Sequence, residues 1–94
     1  MQKNKWSEDE DKIICKICVD EYVLKKGSLD IESCLDKIMS TKNFENHGRG
    51  SVRMRIQNIK AVLDDLKIPN TIPITALSNA ATQTRKILLN LLNI

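Results

Sequence analysis

The sequence predicts an all-α single domain of four helices, and three observations carry that prediction. Four segments repeat apolar residues at helical spacing. Residues that favour helix ends stand where those segments begin and stop. Both prolines, Pro69 and Pro73, fall in one short stretch between the third and fourth segments. The 94 residues suit one small domain, folded over 6–92, with a disordered leader expected at 1–5. With 41% apolar residues but one Trp, one Tyr and one Phe, the core must be aliphatic.

The first helix is expected from Glu8 to about Lys25. Ser7 as N-cap and Glu10 three residues on form a capping box, and Glu8, Asp9, Glu10 and Asp11 crowd the turn where the helix dipole favours anions. Ile13, Ile14, Ile17, Cys18, Tyr22, Val23 and Leu24 cover more than half its circumference, which marks it as largely buried. Lys25-Lys26-Gly27 supplies a basic end and a glycine stop. Ser28 or Asp30 caps the second helix, which runs to Met39 with Ile31, Cys34, Leu35, Ile38 and Met39 inward.

Residues 40–50 hold Asn43, Asn46, Gly48 and Gly50 and read as a loop anchored on the core by Phe44. Ser51 is expected to cap the third helix, which ends near Leu66 or Lys67. Val52, Ile56, Ile59, Leu63 and Leu66 form its apolar stripe. The two prolines exclude a continuous helix over 68–73 and leave room for a short extended segment, too short to define a sheet. The fourth helix is expected from Thr75 to about Leu92, with Leu77, Ala80, Ala81, Thr84, Ile87, Leu88, Leu91 and Leu92 at helical spacing. Its end is more apolar than one face requires. Either it packs on two neighbours or it contributes to a homodimer interface.

Charge is divided along the chain. Residues 1–47 carry eight Lys/Arg against ten Asp/Glu, whereas residues 48–94 carry seven against two, so a net +3 hides halves of −2 and +5. No acid lies between residues 48 and 63. On the third helix a basic row, Arg49, Arg53, Gln57 and Lys60, runs about a quarter turn from the apolar stripe. Long cationic and amide side chains in such a row suit phosphates and base edges. A helix N-terminus flanked by Arg49 and Arg53 would also attract an anion. The candidate DNA-binding set is therefore Arg49, Ser51, Arg53, Arg55, Gln57, Asn58 and Lys60. The alternative at this point is a solvated amphipathic helix whose polar face happens to be basic.

Other chemistry is thin. There is one His, no glycine-rich phosphate loop and no nucleophile elbow, so no catalytic role and no cofactor are expected. Adjacent acids such as Asp9-Glu10 and Asp64-Asp65 do not face each other on a helix. Cys15 and Cys18 match C-x-x-C, with His47 conceivable as a further zinc ligand. They lie inside a helical run rather than on a turn, so buried thiols are expected and no metal. An odd cysteine count, no signal peptide and no long apolar run point to a cytoplasmic protein without a membrane span.

Trp6-Ser7-Glu8-Asp9-Glu10 resembles the opening of Myb/SANT-type helical modules. Ser51-Val52-Arg53-Met54-Arg55-Ile56-Gln57-Asn58-Ile59, with the later Leu77-Ser78, is similar to a helical domain found ahead of HNH nuclease modules in bacterial restriction-like proteins; the likeness spans about residues 6–92. The resemblance implies a helix-turn-helix-like fold, winged or Myb-like, in a bacterial or phage protein that recognises double-stranded DNA. No second His or downstream C-x-x-C pair of the nuclease module is present, so a recognition unit, a truncated domain or a stand-alone relative is expected. The rival from another class is a protein-interaction module, a mobile-element inhibitor or adaptor, working through the acidic patch Glu8–Asp11 and the apolar C-terminus.

Overall fold

A computed structural model describes residues 6–41, 47–77 and 81–93. The expected leader 1–5, the anchor Phe44, and Ser78 and Ala80 of the expected last helix lie outside the described residues. Among the described residues the fold is all-α: α1 (Glu8–Cys18), continued by a π-helical turn (Val19–Leu24), then α2 (Ile31–Met39), α3 (Arg49–Asp65) and α4 (Thr82–Leu92). No β-strand occurs among them, and none of their helices is long and apolar enough to cross a membrane.

α1 begins where its residues require. The Glu10 amide donates to Ser7 Oγ at 3.1 Å, and the Ser7 amide donates to Glu10 Oε1 at 2.8 Å, completing the capping box. Past Cys18 the helix widens into a π-turn instead of remaining α-helical to Lys25. This turn carries Tyr22 into the core, where its hydroxyl donates to the Leu29 carbonyl at 2.9 Å. It also places Glu21 2.6 Å from Lys37 Nζ of α2. The stop differs from expectation too: Lys26, not Gly27, takes the left-handed conformation (φ 50°). Gly27 serves by closeness, since a Cβ there would sit 3.1 Å from the Glu21 carbonyl oxygen, which already accepts the Gly27 amide.

Of the two cap candidates for α2, Asp30 is the one used, accepting from the Ser33 amide and hydroxyl. α3 ends in a Schellman motif. Lys67 is left-handed (φ 59°), the Ile68 amide donates to the Leu63 carbonyl, and the Lys67 amide donates to the Asp64 carbonyl. The proline-containing crossing is irregular, as the two prolines demand, and is tied back by the Thr71 amide and hydroxyl to Tyr22 and Gly27 carbonyls. The last helix starts at Thr82, not Thr75. Thr75 to Leu77 run as non-helical chain against α3, where the Gln57 side-chain amide donates to the Thr75 carbonyl and the Leu77 amide to the Gln57 carbonyl.

The core is aliphatic. Ile14, Leu35, Ile38, Val52, Ile56, Ile59, Val62, Leu63 and Leu88 are essentially inaccessible, with Tyr22 and the three cysteines among them. α4 packs on both α1 and α3, while Leu91 of its apolar surplus stays exposed. Beneath this core lies a polar centre that fastens three helices together. Asp11, fully buried in the first turn of α1, accepts from Arg55 Nε (3.1 Å) and Nη2 (3.0 Å), Gln83 Nε2 (3.0 Å) and Thr84 Oγ1 (3.1 Å).

Candidate nucleic-acid interface

Among the described residues, the N-terminal half of α3 is the most open helical surface in the net-positive half of the chain. The helix begins earlier than Ser51: Gly48 is the N-cap (φ −76°, ψ 161°), with no side chain satisfying the first turn. Ser51 is thus the third helical residue and caps nothing; it is exposed beside Arg49, Gly50, Arg53 and Met54. Nothing lies within 4 Å of a Cβ built on Gly48 or Gly50, and neither has positive φ. No acid stands in the first turn, whereas α1 holds four there. Among the described residues no side chain caps the start of α3, which lies beside two arginines.

The basic row is not uniform. Arg49 is gripped by α2: its guanidinium donates to Asp36 Oδ1 at 2.7 Å, to Glu32 Oε1 at 2.7 Å and to the Glu32 carbonyl at 3.1 Å. The Glu32 hydrogen bond, and then that of Asp36, hold the Arg49 pKa above its ordinary value. Arg53 approaches Glu32 at 3.5 Å and stays about half exposed. Such pairs between exposed groups are worth little in water.

Farther along, the row is occupied by the chain's own crossing segment. Gln57 is spent on Thr75, and Lys60 reaches Asn70 Oδ1 at 3.3 Å and Asp64 at 3.5 Å. Asn58 is half-buried, and its Oδ1 has no hydrogen-bond partner. Arg55 does not belong with the others. It turns toward the core to form the Asp11 pair, with its guanidinium 5.1 Å from the centre of the Trp6 ring. That ring also stacks on His47 at 4.1 Å and 10°.

Four features here were not read from the sequence: the acids Glu32 and Asp36 opposing Arg49, the burial of Asp11, the Trp6–His47 stack, and Met54, a large apolar side chain 56% exposed on the open face. The i, i+4 spacing of Glu32 and Asp36 on the polar side of α2 was the one available signal for the first. Asp11 also removes one member of the acidic patch proposed for a protein partner. Glu10 is a second loss, because its Oε1 lies 3.1 Å from His47 Nε2. Cys15 and Cys18 are buried thiols, and among the described residues no three His, Cys, Asp or Glu side chains converge on a point where a metal ion could sit. No family model, curated protein or solved structure matches the chain.

Proposed function

We propose that the chain is a non-catalytic, helix-turn-helix-like module that binds double-stranded DNA with the N-terminal half of α3. The observation that carries this reading is the pair Gly48 and Gly50. Glycine is at home as the N-cap at Gly48, but inside the first turn at Gly50 it lowers helix stability, and neither the backbone angles nor any neighbouring atom requires it there. A glycine in open space at a helix start suits close approach of the backbone to an outside group. A helix start with no side-chain cap, and with Arg49 and Arg53 beside it, favours an anionic one, such as a DNA phosphate. The order α1, α2, α3, with α2 packed against α3 and the latter's start left open, supports the comparison with a recognition helix. In this reading Arg49, Ser51 and Arg53 contact the backbone and Met54 faces the groove. Gln57 and Lys60 contribute only if the crossing segment shifts, and Arg55 is structural.

The test is fluorescence anisotropy of a labelled random duplex at two salt concentrations. Wild type should bind more weakly as salt rises. Arg49→Ala with Arg53→Ala, both at exposed sites, should weaken binding and reduce the salt slope by about 0.9 for each phosphate no longer neutralised. Absence of salt-dependent binding, or equal binding by a correctly folded double variant, would sink the proposal.

A further inference from the structure

A groove of about 300 Å³ runs between α1 and α4, lined by Lys12 and Lys16 of α1 and by Ile87, Asn90 and Leu91 of α4. The two helices run side by side in the same direction, since Gln83 meets the Trp6 carbonyl and Asp11 while Leu91 lies level with Lys16. At positions 12 and 16 α1 presents lysines where a bulky apolar residue would close the seam. Leu91 is left 39% exposed as a result. The lining is mostly apolar, and its charge is of one sign. Lys12 is exposed and makes no ion pair among the described residues, and Lys86 is exposed one turn before Asn90. Lys16 pairs at 3.6 Å with Asp20, which lies one turn on, and Asp9 stands one turn before Lys12. No acid lines the groove itself, and α4 contains none.

That charge pattern selects the occupant. In a two-fold homodimer the same patch meets itself, which would set Lys12, Lys16 and Lys86 against the same cations or against an acid-free α4. A second copy is therefore disfavoured at this groove. The volume stands at the lower end for ligand pockets and has room for a pair of Leu-sized side chains, the anchors an amphipathic helix supplies at i and i+4. We propose that the α1/α4 groove docks a short acidic amphipathic helix of another protein, its apolar anchors over Ile87 and Leu91 and its carboxylates on Lys12, Lys16 and Lys86. This surface is separate from the start of α3 and does not depend on the DNA reading.

The probe is a synthetic peptide of about four turns with Leu at i and i+4, Glu at the positions flanking them and Ala elsewhere to keep it helical. Partners to it are a matched peptide with Lys for Glu, and dodecanoate. Binding is read by anisotropy and by amide chemical shifts of the full chain. The acidic peptide should bind and shift residues around Lys12, Lys16, Ile87 and Leu91, leaving 49–54 unmoved. Lys12→Glu with Lys16→Glu, both exposed, should weaken it at least about tenfold and let the lysine peptide bind instead. Leu91→Ser should weaken both peptides. The proposal is overturned if the acidic peptide fails to bind, if the charge-reversed protein binds it unchanged, or if dodecanoate alone occupies the groove. Dimerisation of the wild type that Leu91→Ser abolishes would overturn it as well.

Discussion

Asp11→Ala should remove a large part of the stability of this domain. The carboxylate is completely inaccessible and receives two hydrogen bonds from Arg55 and one each from Gln83 and Thr84. Removing one partner of a buried ion pair typically costs about 3–5 kcal/mol, mostly because the other charge is stranded. The Arg55 side chain keeps 11% exposure and the Trp6 face, so partial resolvation brings the figure toward the lower end, about 3 kcal/mol. A domain of this length has about 5–14 kcal/mol in total, so the loss is a fifth of it at the least. Urea titration followed through the single Trp and by circular dichroism should show the midpoint falling by about 1 M or more. Asp11→Ala and Arg55→Ala combined should be milder than their sum, with about 0.5–3 kcal/mol of coupling. A single-variant loss below about 1 kcal/mol, or strict additivity, would refute the assignment of this pair as the polar clamp.

Gly50→Ala should stabilise the fold by about 0.5–1 kcal/mol, since a Cβ there meets nothing, and yet weaken duplex binding; stability and affinity moving in the same direction would contradict the proposed approach of phosphate. Glu32→Gln with Asp36→Asn frees Arg49 from its two counter-ions and should raise duplex affinity several-fold at low salt, measured by anisotropy. Acid should destabilise the domain through Glu10 and Glu21. Burial pushes the Glu10 carboxyl up, but hydrogen bonds from Ser7 and His47 outweigh it, and Lys37 chiefly holds Glu21 down, so both lie below the ordinary 4.5. Groups so lowered contribute stability above that pH and lose it as pH falls through their folded-state values, so urea midpoints should drop below about pH 4.5, and less steeply in Glu10→Gln and Glu21→Gln. The thiols should resist Ellman's reagent in the native protein and react together in denaturant: a hydrogen bond from Cys18 draws the Cys34 pKa down to about 7, but all three sulfurs are shut off from solvent. One fast native thiol would show that the core opens locally.

Local chemistry makes much of this fold legible in the sequence. The Ser7–Glu10 box and the apolar stripe through Val52, Ile56, Ile59 and Leu63 are decided by neighbours three or four residues away, while the cap of α2 is narrowed only to Ser28 or Asp30. The errors lie where distant residues intervene. Gly48-Arg49-Gly50 has the propensity of a loop, yet the helix starts there, with Gly48 as its N-cap and Arg49 beside Glu32 and Asp36 of α2. Thr75 to Leu77 have no breaker, yet hydrogen bonding to Gln57 draws them off the helical path and delays α4 to Thr82. Arg55 looks like its basic neighbours in sequence, and only a partner 44 residues away distinguishes it. The candidate site was legible as a positive helix start; its counter-ions and the occupied far end of the row were not.

The clamp at Asp11 also orders events in time. Its partners on α3 and α4 lie 44, 72 and 73 residues downstream, so a chain emerging N-terminus first makes α1 long before they can reach that carboxylate. Arg55 can reach it once α3 is complete, but Gln83 and Thr84 arrive only with the last helix, which also brings Ile87 and Leu88 to close the core. Synthesis of α4 therefore supplies the segment that makes α1, α3 and α4 a single cooperative unit. Contacts so distant in sequence slow the final step of folding, and they leave the unfinished domain dependent on its closing helix.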